Sequence, residues 1–216
     1  QAGEVNPNGT GTTHGTMVAG VFGATANNAV GVAGVNWYST ILPIQALDDD
    51  SYGDSLTVSE GIHYATDQGV DVISISLATS QVDPFIREAV RYATDHGVLV
   101  VAASGNDGCN CISYPANYPE VLAVGAIDQT GNPASFSNYG ANLDVLAPGQ
   151  NMISSYWTSS NGTSSYAGGI AGTSFATPFV SGLLALGRSY QPTATWDEIV
   201  GAMLENTDKR SLSVTS

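Results

Sequence analysis

Ser174 is the first residue whose type and surroundings could support nucleophilic chemistry. It lies in residues 172–178 (Gly-Thr-Ser-Phe-Ala-Thr-Pro), where small residues lead into an apolar stretch that predicts a helix. A hydroxyl in the first turn of a helix lies where backbone N–H groups and the helix dipole stabilise developing negative charge. The alternative is that Ser174 only caps the helix, which is the commonest role of serine at a helix start.

His14 could supply the base that such a serine needs. It follows residues 1–13, whose Gly, Asn and Thr content predicts a loop, and it precedes residues 15–23, whose apolar spacing predicts a helix. Histidine takes up protons near neutral pH and is the commonest general base. The alternative is an ordinary surface histidine, which is the interpretation we give to His63 and His96 inside predicted helices.

Asn106 could supply an electrophilic amide. It ends the segment Ala-Ala-Ser-Gly-Asn, residues 102–106, which follows a buried strand. A side-chain amide at the carboxyl end of a strand could donate a hydrogen bond to an oxyanion. The alternative is a turn asparagine, which is very common.

A repeat in the chain predicts the elements that position these residues. Residues 65–70 (Ala-Thr-Asp-Gln-Gly-Val) recur as residues 93–98 (Ala-Thr-Asp-His-Gly-Val). Each copy ends an amphipathic helix at a glycine, which suits the left-handed helix stop, and a continuous apolar run follows. The predicted helices are residues 57–68 and 83–96, and the predicted strands are residues 70–77 and 98–103. Helix, glycine and buried strand in this order predict parallel crossover units with both faces of the sheet covered.

The remaining elements complete one α/β domain with a largely parallel sheet. Residues 40–47 predict another buried strand, although Pro43 favours an edge or an irregularity. Residues 48–55 predict an acidic loop, and residues 158–169 predict a Ser/Gly/Thr loop. Further strands are predicted near residues 120–127, 143–147 and 152–156, and further helices at about 173–190 and 195–206. In such sheets, functional sites lie beyond the carboxyl ends of the strands.

The composition excludes several classes of function. Five Lys and Arg against 19 Asp and Glu give the 216-residue chain a net charge of −14. This charge argues against nucleic acid and against an anionic membrane surface as partners. No apolar run reaches the roughly 18 residues that span a bilayer. The two cysteines, Cys109 and Cys111, are too few for a zinc site, and a local disulfide and two free thiols remain equally open.

Taken together, the segments around these residues resemble the subtilisin-like serine proteases, the subtilases. Residues 14–20 (His-Gly-Thr-Met-Val-Ala-Gly) resemble the family's histidine motif, residues 103–106 its oxyanion segment, and residues 172–178 its serine motif. The similarity also covers residues 72–77, which resemble the family's substrate-binding strand, and residues 113–116 and 134–137. The resemblance implies a three-layer subtilisin-like fold with helices on both sides of a largely parallel sheet.

The resemblance also implies roles for the candidate residues in a serine endopeptidase. Ser174 is expected to be the nucleophile, and His14 is expected to take its proton and return it to the leaving amine. Asn106 and the Ser174 backbone N–H are expected to stabilise the oxyanion, with Thr173 in support.

One departure from the family concerns the acid that orients the histidine. The family takes this aspartate from a strand well before the histidine, whereas the sole acid before His14 is Glu4, a poor candidate. We therefore expect residues 1–216 to be one peptidase domain truncated at both ends, with the aspartate elsewhere in the parent protein. The alternative function is a catalytically inactive relative that binds peptides or acts as a scaffold, but the retained Ser174, His14 and Asn106 argue against it.

Calcium is the cofactor that the resemblance implies. Residues 27–32 (Asn-Asn-Ala-Val-Gly-Val) match the family's calcium loop, in which the ligands would be Asn28 Oδ1 and the carbonyl groups of Ala26, Val30 and Val32. Oxygen ligands in a loop bent by glycine suit this ion.

A second, weaker calcium site would combine Asp128 with the carbonyl groups of Ala116 and Tyr118. For both sites, ordinary turn chemistry is the alternative.

The expected partners are extended polypeptides and an N-terminal prosegment. A substrate would lie between residues 76–78 and a segment near residues 54–56, and its main-chain hydrogen bonds would give broad specificity. Asp107 could lie at the rim of the specificity pocket. The expected substrate-binding residues are Ser76, Leu77, Ala78, Ala102, Ala103 and Ser113. We expect a secreted, extracellular monomer that binds neither nucleic acid nor membranes.

Overall fold

Helices and strands alternate along much of the chain. The computed structural model describes residues 10–48, 52–158 and 163–209. The helices are α1 (Thr10–Gly23), α2 (Ser55–Asp67), α3 (Pro84–Asp95), α4 (Thr173–Tyr190) and α5 (Trp196–Glu205). The strands are β1 (Val72–Ile75), β2 (Leu99–Ala103), β3 (Leu122–Ile127), β4 (Val145–Pro148), β5 (Met152–Thr158) and β6 (Thr163–Ile170).

The two predicted crossover units are confirmed. Helix α2 leads through Gly69 into β1, and α3 leads through Gly97 into β2. The two glycines have φ of 71° and 78°, which is the left-handed conformation that ends a helix. Strands β1, β2, β3 and β4 pair in that order as a parallel sheet, with Ile75 opposite Ala102 at the carboxyl end.

Two hydrophobic clusters cover the two faces of this sheet. On one face, α2 and α3 pack against side chains that include Val100 and Ala102 of β2. On the other face, α4 and α5 pack against side chains that include Val101 of β2 and Val124 of β3. Because neighbouring residues of one strand point to opposite faces, the continuous apolar run of β2 serves both clusters. Although α4 is 18 residues long, no described helix combines the length and hydropathy needed to cross a membrane.

The prediction of a loop at residues 158–169 was wrong for residues 158 and 163–169, while residues 159–162 lie outside the described residues. Strands β5 and β6 form an antiparallel hairpin in which Ser155 pairs with Tyr166 and Trp157 pairs with Ser164. A ladder of backbone hydrogen bonds stabilises a strand whatever its side chains, so a composition rich in Ser and Gly did not prevent pairing. The dipeptide Asn161-Gly162, which is typical of hairpin turns, is a sequence signal for this element and lies outside the described residues.

The predicted strand at residues 40–47 was also wrong. These residues have no regular structure and make no backbone hydrogen bond with β1, whose described partner is β2 alone. Pro43 cannot donate to a ladder, and Ile41 and Ile44 are 41% and 38% exposed. Residues 10–13, predicted as loop, instead form the first turn of α1.

Candidate active site

Ser174 is the second residue of α4 and not its cap. The N-cap is Gly172, which makes no side-chain capping bond, and its φ of 153° with ψ of 152° is a conformation that only glycine adopts readily. The interpretation of Ser174 as a capping serine is therefore wrong. The backbone N–H of Ser174 has no acceptor among the described residues, as expected for the first turn of a helix.

A proline one turn further along α4 explains how the end of β1 is bound to Ser174. Pro178 has no N–H, so the Ser174 carbonyl four residues earlier has no helical donor. The Ser76 hydroxyl, just after β1, donates to this carbonyl at 2.8 Å. The Ser174 Oγ in turn lies 3.5 Å from the Ser76 carbonyl. This pair connects the sheet edge to the start of α4.

Asn106 replaces the missing cap of α4 from a distant part of the chain. Its Oδ1 accepts from the Thr173 backbone N–H at 2.8 Å and from the Thr173 hydroxyl at 3.0 Å. Thr173 is the first helical residue, so its N–H has no acceptor within the helix. With Oδ1 held in this way, the Asn106 Nδ2 is left without an acceptor among the described residues. A bond across 67 residues is not that of an ordinary turn asparagine.

The two unpaired donors lie on the same side of Gly172. A Cβ built on Gly172 would be 3.7 Å from the Ser174 backbone nitrogen and 3.8 Å from the Asn106 Nδ2. The absence of a side chain at Gly172 therefore leaves free a position that contacts both donors. An oxygen atom carrying negative charge is the chemical group that two converging N–H donors would stabilise.

His14 is brought to the same helix by α1. Its ring centroid is 5.7 Å from that of Phe175, the residue after Ser174. Burial lowers the pKa of His14 below its ordinary value of 6.5, because desolvation disfavours the cation. A neutral imidazole is the form that can accept a proton. Among the described residues, Ser174 Oγ is paired with Ser76 rather than with His14, and no carboxylate bonds the imidazole; Glu4 lies outside the described residues.

Strand β5 fixes α1 in this position. The hydroxyl groups of Ser154 and Ser155 donate to the carbonyl groups of Met17 at 2.6 Å and Thr16 at 3.0 Å. A Cβ on Gly20 would collide with both serine hydroxyls, so glycine permits the close approach of helix and strand.

The predicted substrate-binding residues gather at the carboxyl edge of the sheet. Ala102 and Ala103 end β2 and are 0% and 3% exposed, and the Ser113 N–H donates to the Ser104 carbonyl at 2.9 Å. Residues 76–78 follow β1 and lie outside the parallel ladder. On the opposite side of the expected groove, Asp54 is the N-cap of α2 and residues 55–56 are its first turn.

Asp107 is bound by Asn138, which lies 31 residues further along the chain. Its backbone N–H donates to Asn138 Oδ1 at 2.7 Å, and its carboxylate accepts from Asn138 Nδ2 at 3.2 Å. Cys109 and Cys111 are joined by a disulfide, which decides between the two open alternatives. Their sulfur atoms lie close to the Asp107 carboxylate, but a disulfide does not supply thiolate ligands.

The 26–32 loop presents oxygen atoms that calcium prefers, but no carboxylate. Asn27, Ala29 and Gly31 have positive φ of 57°, 58° and 66°, and the loop is largely exposed. The Asn28 Oδ1 accepts from the Val30 N–H at 3.0 Å, which leaves it a second lone pair. These donors fit a calcium ion in kind, while the charged ligand that raises affinity would come from elsewhere.

The second calcium site receives less support. The Asp128 Oδ1 accepts from the N–H groups of Thr130 and Asn132 at 2.8 and 2.9 Å, which is turn chemistry. The Tyr118 carbonyl accepts from the Val121 N–H. No described contact joins Asp128 to Ala116 or Tyr118, so the structure favours the turn alternative for this aspartate.

Two residues of the site were not identified from the sequence. Pro178 belongs to the serine motif, and the signal that it frees the Ser174 carbonyl was present in the spacing of four residues. Asn138 had no comparable signal, because its partners lie 25 to 34 residues away.

Comparison with known proteins agrees with this geometry. The model of the subtilase family matches residues 2–215. Subtilisin BL from Lederbergia lenta is 42% identical over 186 residues, which cover 86% of this chain and 66% of the relative. Thermitase from Thermoactinomyces vulgaris is 42% identical over 194 residues, which cover 90% and 66%. Halolysin from Haloferax mediterranei is 46% identical over 173 residues, which cover 80% and 32%. The chain thus spans less than two thirds of the length of some relatives and about two thirds of others.

Solved structures give the same agreement. The prenylagaramide maturation protease PagA superposes with a TM-score of 0.80 at 32% identity, covering 92% of this chain and 74% of that one. Sphericase superposes with a TM-score of 0.81 at 31% identity, covering 90% and 69%.

Proposed function

Because this chain belongs to the subtilase family, we propose that it is a serine endopeptidase. In this proposal Ser174 Oγ attacks the carbonyl carbon of a peptide bond while His14 takes the hydroxyl proton. His14 then gives the proton to the leaving amine, and a water molecule repeats the sequence on the acyl-enzyme. The tetrahedral oxyanion is stabilised by two N–H groups, the Asn106 Nδ2 and the backbone N–H of Ser174.

The observation that supports this mechanism best is the pair of unpaired donors beside the nucleophile. Asn106 Oδ1 is occupied by Thr173 at 2.8 and 3.0 Å, which orients the free Nδ2 away from that contact. Asn106 is exposed, so water can occupy the free Nδ2 until a ligand replaces it. An oxyanion that exists only in the transition state would use both donors and so would lower the barrier.

Burial of His14 supports its role as a base. A pKa below 6.5 keeps the imidazole neutral at neutral pH, so it is ready to accept the serine proton. The acid that orients the ring would come from beyond the described residues, either Glu4 or an aspartate outside this sequence.

The edge of the sheet supports extended polypeptides as substrates. Residues 76–78 continue β1 without a ladder partner and could pair with a substrate main chain, which favours broad specificity. The pocket for the side chain before the scissile bond would be walled by Ser76, Ala103 and Ser113, because Ala102 is 0% exposed and packs in the core under α2 and α3. Asp107 is exposed and accepts one bond from Asn138, which favours a solvated carboxylate over one that selects a basic residue.

The wider biology of the protein is proposed from the family. We propose a secreted, monomeric enzyme made with an N-terminal prosegment, and a structural calcium ion bound by Asn28 Oδ1 and the carbonyl groups of Ala26, Val30 and Val32. The ion would crosslink a loop that has few contacts of its own; it takes no part in the chemical step.

A fluorophosphonate probe tests the proposed function. The full-length protein should be labelled, mass spectrometry should place the adduct on Ser174, and Ser174→Ala should abolish both labelling and peptide hydrolysis. Ser189→Ala is the matched control, because Ser189 is an exposed serine of the same helix that bonds only the Ala185 carbonyl. Labelling that persists in Ser174→Ala, or a native protein that binds peptides and is never labelled, contradicts the proposal.

A further inference from the structure

Asn138 is the centre of the hydrogen bonds that hold the Asn106 loop. It is fully buried, with 0% exposure. Its backbone N–H donates to the Gly105 carbonyl at 3.0 Å, and its carbonyl accepts from the Ser104 hydroxyl at 3.1 Å. The backbone of Asn138 therefore binds the two residues before Asn106.

The side chain of Asn138 binds the residues that follow Asn106. Its Oδ1 accepts from the Asp107 N–H at 2.7 Å, and its Nδ2 lies 3.2 Å from the Asp107 carboxylate. The same Nδ2 lies 3.1 Å from the Cys111 carbonyl and 3.4 Å from the Ser113 hydroxyl. Asn138 thus bonds both chain neighbours of Asn106 while making no bond to Asn106 itself.

The geometry connects this network to the start of α4. With Gly105 and Asp107 fixed, the Cα of Asn106 has little freedom, and its Oδ1 remains where it can accept from Thr173 at 2.8 Å. A side-chain donor must be held within about half an ångström of its productive position to act on a transition state. Movement of the loop would release Thr173 and turn the Asn106 Nδ2 away from its position beside Ser174.

We propose that Asn138 is a positioning residue that holds the oxyanion donor Asn106 in place. The catalytic consequence rests on the proposed function, whereas the structural consequence does not. Asn138 acts through Asn106, so its effect on catalysis depends on the presence of the Asn106 amide.

Asn138→Asp tests the proposal without a change of side-chain size. It keeps an acceptor for the Asp107 N–H but places an oxygen against the Cys111 carbonyl and the Asp107 carboxylate. We expect kcat to fall about tenfold, less than the roughly 10²–10³ lost with an oxyanion donor itself, and KM to change by less than about twofold. Asn142→Asp is the matched control, because Asn142 is exposed and its side chain bonds Asn117 alone among the described residues.

The pH dependence of the same variant separates positioning from general damage. Asp107 is the one titratable side chain hydrogen-bonded to Asn138 among the described residues, since the nearby Cys109 is in a disulfide. Two adjacent carboxylates share a proton as the pH falls, which restores a donor between them. The ratio of variant to native kcat should therefore rise at lower pH.

A double substitution tests whether Asn138 acts through Asn106. On the Asn106→Leu background, Asn138→Asp should lower kcat by less than about twofold, because the donor it positions is gone. Equal losses on the two backgrounds overturn the proposal, as does a rise in KM with unchanged kcat. If Asn138→Asp does not accumulate as folded protein, Asn138→Ser removes the amide without adding charge, and the same cycle applies.

Hydrogen exchange of the Thr173 amide gives a readout that does not need activity. Asn106 Oδ1 is the acceptor of this N–H, so Asn138→Asp should raise its exchange rate, by tenfold or more if opening of the loop exposes it. Unchanged Thr173 exchange overturns the inference whether or not the protein is an enzyme. Increased exchange in a protein that never labels at Ser174 supports the positioning role and contradicts the proposed function alone.

Discussion

The β2–α4 junction and the 26–32 loop are both built from small and amide residues, but they differ in burial and in how far apart their hydrogen-bond partners lie along the chain. The junction comprises residues 104–107, Asn138 and residues 172–174. In the junction, Ser104, Asn138 and Thr173 are 0% exposed, and hydrogen bonds connect residues 31 and 67 positions apart. In the loop, Asn28 bonds Val30 two positions away, and Val30 is 63% exposed. The junction is therefore held by buried bonds between distant segments, whereas the hydrogen bond of the loop is local and its distant neighbour is the Tyr166 ring against Gly31.

This difference determines what a substitution should do in each region. A buried polar group that loses its partner costs about 1–3 kcal/mol, since no water replaces the bond. A substitution at an exposed turn usually changes stability by less than about 0.5 kcal/mol. Changes at the buried residues of the first region should therefore be costly, and the second region should respond chiefly through a bound ion.

Asn106→Leu should have the largest effect on function. We expect kcat to fall by about 10²–10³ with KM nearly unchanged, a magnitude known for subtilisin itself rather than one obtained from this chain. The reason is that the Nδ2 donor would act mainly in the transition state. Steady-state kinetics of the full-length protein give the measurement, with Asn142→Leu as the exposed control. A higher KM with unchanged kcat would make Asn106 a binding residue.

Gly105→Ala should destabilise the junction strongly. Gly105 has φ of 105°, and a Cβ there would collide with Asn138 Nδ2 and lie 2.6 Å from Ser113 Oγ. We expect a loss of about 2–4 kcal/mol from backbone strain and overpacking together. Gly97→Ala isolates the strain, because φ there is 78° and a Cβ would meet nothing within 4 Å.

Denaturant unfolding of both glycine variants decides whether packing around Asn138 matters. If Gly97→Ala lost as much stability as Gly105→Ala, backbone strain alone would explain both losses. Contacts with Asn138 would then add nothing to the cost of Gly105→Ala, and the junction would not be tightly packed.

The pH profile of kcat/KM should reflect the burial of His14. Because burial lowers the pKa of His14 below 6.5, the neutral base persists to lower pH, and the acid limb should have its midpoint below 6.5. Between the lowered pKa of His14 in the folded protein and its ordinary value of 6.5 in the unfolded chain, the unfolded chain binds more protons. Stability should therefore rise with pH in this range and level off above 6.5. A midpoint at or above 6.5 would show that a carboxylate paired with the ring raises the pKa of His14 more than burial lowers it.

Asn28→Ala should have the smallest effect, and only calcium should reveal it. With a chelator present, we expect the free energy of unfolding to change by less than about 0.5 kcal/mol. With calcium, the native protein should gain thermal stability by mass action and the variant should gain less. Thermal unfolding with and without calcium gives the measurement. A native protein that gains no thermal stability from calcium contradicts the calcium proposal. If Asn28→Ala lost well over about 0.5 kcal/mol of stability in chelator, the loop would be as sensitive as the junction.

The parts of the fold that could be predicted are those with strong local signals. Helix α2 with Gly69 and helix α3 with Gly97 were predicted because amphipathic spacing and a glycine stop act within a few residues. Helix α4 was predicted at residues 173–190 from its local apolar stretch, without a glycine stop. The segments 40–47 and 158–169 were predicted wrongly because strand pairing depends on which neighbour is present, which no local pattern states.

The candidate site shows the same distinction between local sequence signals and long-range contacts. By itself, the sequence was enough to propose which side chains would carry the chemistry, Ser174, His14 and Asn106, because motif spacing and residue type are local and family-specific. Only the tertiary structure decided that Asn106 caps α4 through Thr173 and that Asn138 holds the residues on either side of Asn106. The physical reason is that a buried hydrogen bond between distant residues depends on the packing of the sheet and helices around it, and the residue types alone leave its partner undetermined.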